Sequence, residues 1–328
     1  MEQMDQNGNM SEQMAPEGSC VATLMAAGAV PPEAVELITE LLTRDGMRFR
    51  SARRLGRAGT SSCVELHFSA LGRPTDREAL KGRFREKVRA MGDEGGFDVA
   101  LQEESPHRRR RRLVAMDFDS TLIQNEIVDE LARERGVFDE VAAITRRSMA
   151  GELGFDESLV LRCEKLKGLS KEGLDRVLER IRLTSGAAEF VQQLKRMGCK
   201  TAIISGGFDF AVEKIRRELD IDFAFSNTLQ LKDGLVSGEV QRPLLNPRAK
   251  ADILESLAAR EGIALDEILA VGDGANDALM LEKAGFGVAF NAKKILRERA
   301  DFALNQKDLR WILYLMGLTA DEIGTDFT

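Results

Sequence analysis

The first eighteen residues are small, polar and acidic and carry no apolar period, so residues 1–18 are expected to be a disordered tail. A regular pattern then begins. Cys20 to Ala27 is apolar and predicts a strand. Pro32 to Arg44 sets Val35, Ile38, Leu41 and Leu42 at helical spacing behind prolines and predicts a helix. Met47 to Leu55 predicts a second strand, closed by a glycine-containing turn. Ser62 to Phe68 alternates Cys63, Glu65 and His67 against Val64, Leu66 and Phe68, the mark of a half-buried strand, and makes His67 a solvent-side or lightly packed residue, not a ligand. A helix capped by Thr75 and running to about Met91, then a strand over Phe97 to Leu101, complete the order β-α-β-β-α-β. That order predicts a ferredoxin-like domain over residues 19–104, joined by a basic linker at 105–112 to a second domain at 113–328.

From Leu113 the texture changes. Leu113 to Met116 is a short apolar run that ends at Asp117, and residues 124–182 are helical in pattern almost throughout. A helix from Gly186 through Met197 leads to an apolar strand over Thr201 to Ile204. Further strands are predicted at Phe223–Phe225, Ile268–Val271, Gly287–Phe290 and Phe302–Leu304, with helices between them. Leu229 to Val240 predicts a hairpin turning at Asp233-Gly234. Strands alternating with helices predict an α/β fold with a doubly wound, Rossmann-like parallel sheet. In such a sheet ligands sit beyond the carboxyl ends of the strands.

Composition narrows the function classes. The 328 residues are 43% hydrophobic and 31% charged, which suits a globular chain of two domains. No apolar run reaches the roughly 20 residues that cross a bilayer. The amino-terminal segment has no apolar core of a secretory signal, so a cytoplasmic setting is expected, with the four cysteines as reduced thiols. With two histidines in the chain, any metal should be a hard cation held by oxygen. The net charge is −7, divided as about +1 before residue 113 and about −8 after it. That acidity argues against nucleic acid as a partner. The run Arg108 to Arg112 is read as a solvated linker.

Three groups of polar residues follow predicted strands: Asp117-Phe-Asp119-Ser-Thr121, Ser205-Gly206-Gly207, and Gly272-Asp273-Gly-Ala-Asn276-Asp277. Parallel strands bring all three to one edge. Asp117 and Asp119 are two apart on extended chain and point the same way. With Asp273 and Asp277 they make a carboxylate cluster that requires a cation or a proton. Mg2+ accepts carboxylates together with phosphate oxygens and water. The glycines let main-chain N–H groups approach phosphate oxygens, and Lys250 adds positive charge. The chemistry this suggests is phosphoryl transfer. An EF-hand is excluded, because no acid closes a twelve-residue loop in register.

In these motifs the sequence resembles the haloacid dehalogenase superfamily over residues 112–317, most closely its members that act on O-phospho-L-serine. The resemblance implies a Mg2+-dependent phosphatase, the final step in making L-serine. It makes Asp117 the nucleophile that becomes an aspartyl phosphate, and Asp119 the general acid and then base. It implies Mg2+ held by the Asp117 side chain, the Asp119 carbonyl and the Asp273 side chain. Ser205, Gly206 and Lys250 bind the phosphoryl group, with Thr121, Gly207 and Asp277 in support. The helical insert at about 124–182 resembles the family's small cap. Alone, Glu126 and Arg162 read as surface helix charge; the resemblance makes them the acid and base that hold the substrate's ammonium and carboxylate. Asn276 matches a further substrate contact, and Met149 and Phe155 match apolar residues that shield the site. The first domain resembles, in topology and position, ACT-like domains that bind amino acids or pair into homodimers. Three readings stay open beside this one: another small phosphomonoester, phosphoryl transfer to an acceptor alcohol, and an amino-acid-responsive regulator.

Overall fold

A computed structural model of the protein describes residues 18–57, 62–70 and 96–324. The described chain forms two compact units, one ending at Arg109 and the other beginning at Arg110. The tail expected before residue 18 and the helix expected from Thr75 to about Met91 lie outside the described residues.

In the first unit, β1 (Cys20–Ala26), β2 (Met47–Arg54), β3 (Ser62–Ala70) and β4 (Phe97–Glu103) form an antiparallel sheet in the order β2-β3-β1-β4. Between β1 and β2 runs α1 (Pro32–Arg44), with proline in its first turn where no N–H is needed. It buries Ala34, Ile38 and Leu42 against Leu24, Leu66, Phe68 and Leu101. The opposite face of the sheet departs from the alternation. Cys63 and Glu65 are fully buried, and His67 keeps only 16% of its side chain exposed. The Arg108 guanidinium pairs with Glu65 and donates through Nε to Gln102 Oε1 at 3.2 Å. The solvated reading of the arginine run therefore fails at two positions. Arg108 is buried and paired with Glu65, as a charged residue taken out of water almost always must be. Arg111 is buried too, and donates to the main-chain carbonyl of Asp266.

The second unit carries a six-stranded sheet of β5 (Leu113–Met116), β6 (Lys200–Phe208), β7 (Phe223–Asn227), β10 (Ile268–Gly272), β11 (Phe286–Phe290) and β12 (Phe302–Leu304). Every pairing is parallel, and the order is β12-β11-β10-β5-β6-β7. The chain thus winds outward from β5 through β6 and β7, then returns to β10 and winds the other way. The crevice between β5 and β10 is the topological switch point of a doubly wound sheet, where such folds place their ligands. β5, β10 and β11 are buried along their whole length, as strands covered on both faces must be. Four helices, α2 (Ile127–Arg135), α3 (Phe138–Met149), α4 (Phe155–Lys165) and α5 (Lys171–Arg180), fill the connection from β5 towards β6, and α6 (Ala187–Arg196) completes it. The hairpin β8 (Leu229–Lys232) and β9 (Leu235–Val240) turns at Asp233 and Gly234, both at positive φ. It is tied to the α4–α5 connection by Gly168 N to Val236 O and Val236 N to Leu169 O, each 2.8 Å.

One sequence boundary moves. Ser205-Gly206-Gly207 lies inside β6, not after it, and the register against β7 shifts between Ile204 and Phe208. Glycines without Cβ let the strand bulge there and continue.

His67 yields a test. Its Nδ1 lies 2.9 Å from Glu104 Oε1 and its Nε2 3.5 Å from Glu65 Oε2. The hydrogen bond to Glu104, then that to Glu65, raises its pKa to about 9. A folded pKa above the unfolded value of about 6.5 stabilises fully below that pH and is lost as the pH rises through about 9. Urea unfolding of the first unit within the intact protein should weaken over this window, and His67→Gln should flatten the dependence.

Candidate active site

Asp117 stands at the switch point. Its amide donates to the Val271 carbonyl at 2.9 Å, which carries the β5–β10 ladder one residue past the end of β5. Its Oδ1 accepts from Phe118 N at 2.7 Å and lies 2.8 Å from Lys250 Nζ, and its Oδ2 accepts from the Asn276 amide at 3.2 Å. Lys250 sits in the first turn of α8 (Pro247–Glu261), a helix started by the Asn246 side chain capping Ala249 N and by Pro247 at its head. The lysine is fully buried, and its Nζ also reaches Asp277 Oδ1 at 2.6 Å. Burial works against its charge, but the Asp117 and Asp277 carboxylates outweigh it and hold its pKa above the ordinary value. Asp277 is equally buried, which by itself pushes its carboxyl up. It nevertheless accepts from Lys250, from Asn276, and from the amides of Asp273 and Gly274 at 3.1 and 3.0 Å. Four donors occupy every acceptor position, and only the ionised form offers them all.

Asp119 lies on the turn of Phe118 to Leu122 that follows Asp117. Its Oδ1 accepts from Ile127 N at 2.8 Å, at the head of α2. Burial, then the neighbouring Glu126 charge, lifts its carboxyl well above the usual range. A Cβ on Gly207 would stand 2.6 Å from Asp119 Oδ2, so this carboxyl fits only because residue 207 has no side chain. Ser205 is fully buried, and its Oγ accepts from Gly207 N at 2.9 Å.

Above these groups opens a cavity of about 290 Å³. Asp117, Asp119, Asp273, Asn276, Gly206 and Gly207 line its sheet side, and Glu126, Met149, Phe155 and Arg162 line its helical side. Ser205, Lys250, Asp277 and Thr121 are not part of the wall; the first three stand behind it, and the buried Thr121 hydroxyl has no hydrogen-bond partner among the described residues. Met149 is 68% exposed, so it rims the mouth instead of sealing it. The Arg162 Nε donates to the Ser158 carbonyl at 3.2 Å, which leaves the outer guanidinium nitrogens for a ligand.

A model of the haloacid dehalogenase-like hydrolases matches residues 111–285. The chain belongs to this family. Phosphoserine phosphatase of Archaeoglobus fulgidus is 43% identical over 237 residues, which are 72% of this chain and 69% of that one. The crystal structure of a HAD family hydrolase from Salmonella enterica serovar Typhi matches with a TM-score of 0.77 at 31% identity, over 90% of this chain and 98% of its own. A structure of a phospho-aspartyl intermediate analogue of phosphoserine phosphatase matches with a TM-score of 0.60 at 48% identity, over 62% of this chain and 98% of its own.

In this haloacid dehalogenase-like hydrolase the carboxylate oxygens of Asp117, Asp273 and Asp277 come within 4.8 Å of one another. Burial, then the Asp117 charge, pushes the Asp273 carboxyl up to about 7. The donors are all oxygen and strongly anionic, a set that fits a hard dication. Asp277 has spent its acceptors on four donors, which leaves Asp117 and Asp273 as the carboxylates able to hold the ion.

Sequence reasoning missed two charged wall residues, Lys293 and Asp129. Lys293 follows β11, whose carboxyl end carries no sequence motif, and its amide donates to the Asp273 carbonyl at 3.0 Å. Asp129 lies three residues beyond Glu126 on α2, a spacing that puts both on one helix face. The tight fit at Gly207 predicts that Gly207→Ala displaces the Asp119 carboxyl. Turnover should fall about a hundredfold while the melting temperature moves by a few degrees only. Steady-state kinetics beside a thermal melt check this.

Proposed function

We propose that the chain hydrolyses O-phospho-L-serine to L-serine and phosphate, with Asp117 as nucleophile and Mg2+ as cofactor. One observation carries the substrate: Glu126 and Arg162 share a single small cavity with Asp117. The substrate bears a phosphate, a carboxylate and an ammonium. Arg162 offers a fork to the carboxylate, Glu126 an anion to the ammonium, and Asp117 an oxygen to the phosphorus.

Asp117, Asp273 and the main-chain carbonyl of Asp119 would hold the ion. When bound, Mg2+ neutralises charge on the transferring phosphoryl oxygens. Lys250 and Asn276 fix the Asp117 carboxylate in place for attack. An Asp117 oxygen forms a bond to phosphorus as the bond from phosphorus to the serine oxygen breaks. Asp119 delivers its proton to that oxygen, and L-serine leaves. Asp119, now ionised, takes a proton from a water whose oxygen bonds to phosphorus, and the Asp117–phosphoryl bond breaks. Phosphate leaves with Asp117 ionised and Asp119 protonated, as at the start. The amide of Gly206, on the cavity wall, is assigned to the phosphoryl oxygens, with Ser205 and Gly207, bonded to each other, in support. The carboxylate-rich wall repels anions, and Lys293 offsets it at the mouth. The first unit is assigned an accessory role, ligand sensing or self-association, on its strand order. A cytoplasmic setting is part of the same proposal.

Phosphate release from phosphoserine should need Mg2+ and stop with EDTA, and Asp117→Asn should lower it at least about a thousandfold. Arg162→Ala should raise KM for phosphoserine about tenfold or more. It should leave KM for phosphoethanolamine, which has no carboxylate, nearly unchanged. An equal rise for both esters would remove Arg162 as the carboxylate's partner.

A further inference from the structure

Ser120 occupies left-handed backbone, φ 55° and ψ 5°, a region that costs any residue with a Cβ and that glycine enters freely. Such an outlier beside a reacting carboxylate invites a functional explanation. Its side chain supplies one. The Ser120 hydroxyl donates to Glu126 Oε1 at 2.8 Å, and its amide donates to the Asn125 carbonyl at 3.2 Å.

The surroundings of Glu126 make that bond informative. Glu126 is the N-cap residue of α2, a place where a side-chain oxygen commonly accepts from the helix's first amides. Here it makes no such bond. The first helical amide, Ile127 N, donates to Asp119 from the preceding turn. The Glu126 carboxylate is not held by its own helix, and the hydrogen bond that orients it comes from Ser120. Its second oxygen remains for a ligand in the cavity that Glu126 lines.

We infer that Ser120 is a positioning residue: its hydroxyl aims the Glu126 carboxylate into the cavity and so sets how firmly the substrate's ammonium is held. The inference rests on the reading of Glu126 given above. The hydroxyl acts through Glu126 and does not itself line the cavity. The left-handed turn is what brings it there, since extended backbone at residue 120 would point the side chain elsewhere.

The test compares two esters in the intact enzyme with Mg2+: phosphoserine, and 3-phosphonooxypropanoate, which keeps the phosphate and carboxylate and lacks the ammonium. Ser120→Ala keeps the backbone cost and loses the hydroxyl; Ser120→Gly loses both. Both variants should raise KM for phosphoserine about tenfold, the weight of one hydrogen bond to a charged group. They should lower kcat less than threefold and leave kcat/KM for the desamino ester within about twofold of the parent enzyme. Parent enzyme that handles the two esters alike overturns the ammonium role of Glu126, and this inference with it. Parent enzyme that prefers phosphoserine, with either variant keeping the parental KM, overturns the inference alone. A variant that loses activity equally on both esters also overturns it, because the serine would then serve the turn and not Glu126.

Discussion

Several acids converge on one edge of a buried sheet, and the fold survives this because a single ammonium is buried among them. Lys250 sits 2.8 Å from Asp117 and 2.6 Å from Asp277, fully out of water. Two anions so close would repel strongly in a medium that screens poorly. Removing the lysine would leave an uncompensated buried charge, an effect of about 3–5 kcal/mol in comparable cases. The architecture around it serves this contact. α8 begins at a capping asparagine and a proline, which fixes where Lys250 emerges. Gly272 leaves room for Asp277, whose Cγ would stand 2.5 Å from any Cβ there. The cluster is thus a charged core held by packing, and Asp117, the proposed nucleophile, is one of its members.

The residues proposed to select the substrate lie in a different layer. The four helices inserted after β5 carry Glu126 and Arg162, one near the start of the first helix and the other near the end of the third. Eleven and ten residues long, α4 and α5 bury only part of their surfaces. Main-chain bonds from the β8–β9 hairpin tie down the connection between them. The proposed catalytic floor is therefore built from strand ends, which are rigid, while the walls proposed to recognise the substrate are built from short helices. That division lets one phosphoryl-transfer floor serve different substrates by changing the insert.

Legibility followed the same division. β5 and β10 were readable because strands buried on both faces are uninterrupted apolar runs, and each ends in aspartate. Asp117, Asp119, Asp273 and Asn276 were found because strand ends are where a parallel sheet collects chemistry. Lys293 escaped because the loop after β11 has no motif, only a position. The placement of Ser205 inside β6 escaped because two glycines look like a turn until the neighbouring strand shows that pairing resumes beyond them. Cys63, Glu65 and His67 alternate as a solvent-facing set would, yet Glu65 is buried with Arg108; alternation reports polarity and is blind to an ion pair formed by a residue 43 positions away.

By itself the sequence determined the strands, their parallel winding, the family and the residue types at the strand ends, because periodicity and motif order are local properties of the chain. Tertiary structure decided which groups meet: that Lys250 bridges two aspartates, that Asp277 has no acceptor left for an ion, that Ser120 turns towards Glu126. The longest of these contacts join residues 27 and 133 positions apart. Only a folded sheet edge brings such residues within a hydrogen bond of each other, and only there does the low dielectric make the pairing decisive.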